Sequence, residues 1–147
     1  MERHQGTGNV ACGFLKGYGI KAGAVALSIA HDSHNIIVVG VSDEEMEFAV
    51  NSLIAQEGGM VLVREGKVLE SMPMPIAGLM SDQSGEWVDQ KLTDIHEKAY
   101  EELGICGDVE PVMTLCFMSL AVIPEIKLTD MGLFDVTTFS FIPVEVE

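Results

Sequence analysis

The stretch from Ile36 to Val63 limits the possible folds more than any other. An apolar run, Ile36 to Val41, leads into Ser42-Asp43-Glu44-Glu45. Met46, Ala49, Val50, Leu53 and Ile54 then recur at helical spacing, before Gly58-Gly59 and a second apolar run, Met60 to Val63. Ser42 with Glu45 three residues on forms a capping box, and acids in the first turn favour the positive end of a helix dipole. The glycine pair ends such a helix, because glycine adopts the left-handed backbone that closes a last turn. Strand, helix and strand in that order predict a βαβ unit whose right-handed crossover pairs its two strands in parallel.

Other elements are read around this unit. Val10 to Leu15 and Ala24 to Ala30 are strand-length apolar runs, and the glycines at 13, 17 and 19 suggest a bulge or close backbone approach. Met60 to Val63 and Val68 to Met72 flank Arg64-Glu65-Gly66-Lys67 as a hairpin. Ser84, or Asp82 before it, caps a second helix with Val88, Leu92, Ile95, Ala99 and Leu103 as its buried stripe and Gly104 as its stop. His96 borders that stripe, and Trp87 is expected to pack at the helix start. Ile76 to Met80 is expected to be a loop, and Val112 to Ile123 fits either a short buried helix or a strand. Ile126 to Thr129 is expected as an edge strand, Asp130-Met131-Gly132 as a turn, and Thr137 to Val144 as a last strand. The class expected is α+β: a mixed sheet of about six strands with two main helices packed on it, one βαβ unit and one hairpin. One domain is expected over residues 1–147, with a linker-like start at 1–9.

Charge excludes some functions. Eight basic against 23 acidic residues give a net charge of -15, which repels phosphate backbones and anionic lipid, so neither nucleic acid nor membrane is an expected partner. Cys12, Cys106 and Cys116 are odd in number, lack C-x-x-C spacing and sit in apolar runs. They are expected to be reduced buried thiols in a cytoplasmic protein. No apolar run approaches the roughly 18 residues of a membrane span.

One stretch is dense in chemistry: His31-Asp32-Ser33-His34-Asn35, between two apolar runs. Two imidazoles, a carboxylate, a hydroxyl and an amide suit proton transfer, recognition of a small polar ligand, or a metal. The same residues also suit a plain turn closed by side-chain to backbone hydrogen bonds. His31-x-x-His34 alone is short of the three or four ligands of a stable metal site, and His4 or His96 would have to join it. There is no G-x-S-x-G, no G-x-G-x-x-G opening a helix, no P-loop and no zinc deaminase signature.

Blocks along nearly the whole chain carry a resemblance. They are Arg3-His4 with Gly8-Asn9, Gly13-Phe14 with Lys16-Gly17 and Gly19, AHDSHNIIVVG at 30–40, and Gly58-Gly59-Met60-Val61. PIAGLMS at 75–81, Met113-Thr114-Leu115 with Phe117, and VIPEIKLTDMGL at 122–133 continue the series. With these the chain resembles the C-terminal domain of adenine deaminase, an amidohydrolase of purine salvage. The resemblance implies hydrolysis of adenine to hypoxanthine and ammonia, with manganese or iron held in a barrel domain that precedes this one. It implies that this chain binds no metal and carries no catalytic residue, and that it is inactive without the barrel, in cis or in trans. It implies a substrate-side loop of His31, Asp32, Ser33, His34 and Asn35 that helps orient adenine. A stand-alone module that binds a purine or forms a homo-oligomer through an exposed apolar face is the alternative.

Overall fold

A computed structural model describes residues 1–145. The last two residues of the expected 1–147 domain lie outside the described ones. Four strands, β1 (Ala24–Leu27), β2 (Ile37–Gly40), β3 (Gly59–Arg64) and β4 (Lys67–Pro73), form a sheet in the order β2-β1-β3-β4. Helix α1 (Asp43–Ala55) lies on one face, against β1, β2 and β3. Helices α2 (Gly85–Glu101) and α3 (Pro111–Cys116) lie on the other, α2 over β3 and β4, α3 over β1 and β2. A second sheet, β5 (Ile126–Thr129), β6 (Gly132–Asp135) and β7 (Ser140–Ile142), runs in chain order.

Strand alternation separates two cores. Ala24, Ala26, Val61 and Val63 join Ala49 and Leu53 of α1. Val25, Leu27, Met60 and Leu62 join Ile95, Ala99 and Leu103 from α2 and its end, with Val112, Leu115 and Cys116 of α3. All of β1 is buried, and each large aliphatic side chain so placed contributes about 1.5–3 kcal/mol.

The α+β class is the one expected, but the sheets are antiparallel rather than one mixed sheet. β2 and β3 do flank α1, yet β1 lies between them and pairs antiparallel with both, Val25 facing Val39 on one side and Leu62 on the other. The apolar β1 is buried on both faces in the centre, which leaves no direct contact for a parallel β2·β3 pair. Residues 10–15 form no strand: Phe14 is 98% exposed and Val10 61%, and this glycine-broken stretch passes along Leu128 and Leu133 without joining a ladder. Residues 111–116 are a helix, started by Pro111 and capped by Glu110. Gly132–Asp135, of which only Gly132 has an expected place, as the end of a turn, is the middle strand of the second sheet.

Both long helices start where their caps predict, with Ser42 Oγ accepting from Glu45 N–H at 3.3 Å and Ser84 Oγ from Trp87 N–H at 3.3 Å. The capping box is only half formed. Glu45 turns away from Ser42 and accepts from Glu65 N–H at 2.6 Å, tying α1 to the β3–β4 turn. Ile54, expected in the buried stripe, is 51% exposed. Cys12 and Cys106 are exposed, and only Cys116 is the buried free thiol expected, its pKa pushed up to about 11 by burial.

Candidate functional site

Residues 31–34 form a turn between β1 and β2. The backbone N–H of His34 closes it onto Ala30 C=O at 2.6 Å, with His34 in a left-handed conformation. From below, Cys116 C=O at the end of α3 accepts from His31 N–H at 3.0 Å, and Ser119 Oγ donates to His31 C=O at 3.0 Å. The His31 ring stacks on Phe117 with centroids 4.8 Å apart and meets the His34 ring edge-on at 5.3 Å.

The other support comes from the chain start. Residues 1–9, expected to be linker-like, are held against the body at their first positions: Met1 and Ile36 exchange both backbone hydrogen bonds, at 2.8 and 2.9 Å. Arg3 Nε donates to His34 C=O at 2.5 Å, Arg3 Nη2 to Ala77 C=O at 2.9 Å, and His4 Nε2 lies 2.8 Å from Ser33 C=O. Arg3 thus joins loop 31–35 to loop 76–80, so that the motif blocks at 30–40 and 75–81 meet in space. The second loop is fixed from inside, where Ser28 Oγ donates to Gly78 C=O at 2.5 Å and accepts from Gly59 N–H at 2.7 Å. Gly78 has φ +72°, and a Cβ there would stand 2.9 Å from the Arg3 guanidinium.

These supports divide the five residues of the loop. His31 is committed to Phe117 and to its backbone partners. Asn35 accepts from Arg3 N–H at 3.3 Å and donates to Asp130 Oδ1 at 3.3 Å, so its amide is largely used in holding the loop. Asp32 is 85% exposed, 3.7 Å from His31 Nδ1, and Ser33 is exposed. His34 Nδ1 is buried without a hydrogen-bond partner. Burial and the neighbouring His31 and Arg3 charges lower its pKa, which favours a neutral ring free to donate or accept. Sequence reasoning names His4 only as a further candidate metal ligand beside His31 and His34, and does not single out Arg3, Ser119, Phe117 or Asp130 as parts of this site. Only their presence in or beside the motif blocks signalled them.

Asp32, Ser33 and Asn35 stand on the rim of a cavity of about 730 Å³. Its walls are largely apolar: Ile36 to Val38 of the β2 segment, Met46, Val50 and Ile54 of α1, residues 10–13, residues 119–122 and Leu128 to Asp130. Among the described residues, no three His, Cys, Asp or Glu side chains gather to hold a metal ion. The described residues therefore offer no donor set that fits the iron or manganese implied by the resemblance. His96, the remaining histidine, lies elsewhere, 2.5 Å from Glu110 Oε1.

The sequence matches the adenine deaminase C-terminal domain family over residues 1–140. The chain belongs to that family. It is 74% identical over 145 residues to adenine deaminase 2 of Desulfotalea psychrophila, covering 99% of this chain and 25% of the relative. Adenine deaminases of Nitratidesulfovibrio vulgaris (strain DP4) and Bacillus subtilis are 51% and 48% identical, again over 99% of this chain and 25% of theirs. The domain spans about a quarter of the length of these curated relatives. No helix among the described residues is long and apolar enough to cross a membrane.

Proposed function

We propose that this domain serves an adenine-deaminating hydrolase in purine salvage, and that loop 31–35 is the face it turns toward the substrate held by a neighbouring barrel domain, in cis or in trans. The observation that carries this reading is the split within the loop. Its backbone is tied down by Arg3, His4, Cys116 and Ser119, while Asp32 and Ser33 point to solvent and His34 Nδ1 has no partner. A turn needed only to join β1 to β2 has no use for so many supports under free polar groups. The neutral His34 ring and the exposed Asp32 carboxyl can pair with the edge of a planar heterocycle and so position it. The hydrolytic step itself, in which water replaces the exocyclic amine and ammonia leaves, belongs to groups outside this chain. Manganese or iron would be held there, since no three metal-ligating side chains gather among the described residues of this domain. In this reading the isolated domain is inactive and the enzyme works in the cytoplasm.

The test is kinetic. A chimera joins this chain to the upstream three-quarters of the Desulfotalea psychrophila relative. In it, Asp32→Ala or His34→Ala is expected to lower kcat/KM for adenine by about tenfold or more, the weight of one or two lost hydrogen bonds. Unchanged kinetics would overturn the role given to the loop.

A second reading has one observation in its favour. The cavity beside the loop is large and apolar with a few polar groups at its rim, the usual character of a small-molecule site. In that reading the domain binds a purine by itself. Adenine titration of the 147-residue chain, with light scattering to report self-association, separates a purine binder from a dimer and from a domain that does neither.

A further inference from the structure

We propose that the outer edge of β2 is the docking site of an extended polypeptide segment: the one joined to Met1 in the longer family members, running antiparallel to β2 as a fifth strand of the first sheet. The inference rests on family membership and not on the role proposed for loop 31–35.

β2 closes one end of the sheet and has β1 on one side only. The direction of its backbone groups follows from bonds already made. Ile36 exchanges both hydrogen bonds with Met1, so its N–H and C=O face outward. Val41 donates to Gly23 C=O and faces β1. In a strand these directions alternate. Ile37 and Val39 therefore face β1, whereas Val38 and Gly40 turn their N–H and C=O outward, in line with Ile36. No backbone partner outside the β1 ladder is recorded for either among the described residues.

The Met1·Ile36 pair is the first rung of a further ladder, and its sense is antiparallel, because Arg3 lies against His34 and Asn35. A segment continuing upstream from Met1 moves along β2 toward Gly40. The second residue before Met1 comes opposite Val38, and the fourth opposite Gly40. Both outward pairs are then satisfied in register with the existing rung.

Space and chemistry fit the same occupant. The 730 Å³ cavity includes Met1 and runs along Ile36 to Val38, and a second cavity of about 570 Å³ continues along Ile37 to Val41. Met46, Leu128 and Gly13 border both. A strand beside β2 would lie in this apolar trough, with alternate side chains toward Met46 of α1 and toward Leu115 and Met118. An uncovered apolar strand edge is a liability in water, and the relatives, in which this domain is a quarter of the chain, have ample polypeptide to cover it.

Hydrogen exchange tests the proposal on the 147-residue chain and on the chimera with the Desulfotalea psychrophila relative. The Val38 and Gly40 amides are expected to exchange about 100-fold or more slower in the chimera, while Ile37 and Val39 are protected in both. Equally fast exchange of Val38 and Gly40 in both proteins overturns the proposal. So does equal protection in both that weakens on dilution of the 147-residue chain, which identifies a second copy as the occupant. Adenine turnover by the chimera is read separately. The edge can be covered in an enzyme indifferent to Asp32→Ala, or uncovered in one that depends on it, so the two readings fail independently.

Discussion

Arg3 Nε donates to His34 C=O at 2.5 Å, and the same guanidinium reaches Ala77 C=O at 2.9 Å. One side chain near the chain start thus holds the polar turn before β2 and the glycine-containing loop after β4 in a fixed relation. Arg3→Ala removes both bonds and leaves two carbonyls short of a donor. A loss of about 1–3 kcal/mol is expected in denaturant unfolding, with faster amide exchange in residues 31–36 and 76–80. Arg3→Lys is expected to recover only part of it, since one ammonium cannot match the fork.

Gly78 stands under that guanidinium with φ +72°. Gly78→Ala is expected to lower stability by about 1–3 kcal/mol, through left-handed strain and displacement of Arg3. The comparison is Gly85→Ala, where a Cβ meets open space at the start of α2, and a neutral or slightly stabilising effect is expected. Equal effects of the two in thermal unfolding would refute the close approach.

Glu110 works in two directions. One carboxylate oxygen caps α3 through Met113 N–H, and the other meets His96 Nε2 at 2.5 Å. The far end of α3 presents the Cys116 C=O that holds His31 N–H. Glu110→Ala is expected to cost about 1 kcal/mol and to speed exchange of the His31 amide, while His96→Ala leaves the cap in place and that amide slow.

His34 gives the loop a pH signature. Its pKa is lowered from the ordinary 6.5 by burial first, then by the His31 and Arg3 charges. The unfolded chain therefore takes up a proton more readily than the folded one. The penalty is absent well above pH 6.5 and grows as pH falls from there through the lower folded value. Urea midpoints are expected to fall more steeply over that window in the parent chain than in His34→Asn. Parallel profiles would contradict the assignment.

What the sequence discloses and what it hides differ by range. α1 and α2 are legible because their caps, Ser42 and Ser84, and their apolar stripes lie within a few residues of one another. The existence of β1, β2, β3 and β4 is legible from apolar runs and breakers. Their order is not, because nothing local to Ile36–Val63 announces that β1 will enter between the two strands of an apparent βαβ unit. Residues 10–15 read as a strand because apolar content says nothing about whether an edge is available to pair with. At the site the density of His31 to Asn35 is visible in the sequence. The docking of Arg3 onto His34, 31 residues away, is a tertiary fact.

The most direct measurement is hypoxanthine formation from adenine by the purified 147-residue chain supplied with manganese or iron. With no three metal-ligating side chains gathered among the described residues, the rate is expected to equal the buffer baseline, whereas the chimera turns adenine over. Product formed in proportion to the concentration of the isolated chain would contradict the assignment of the chemistry to another domain.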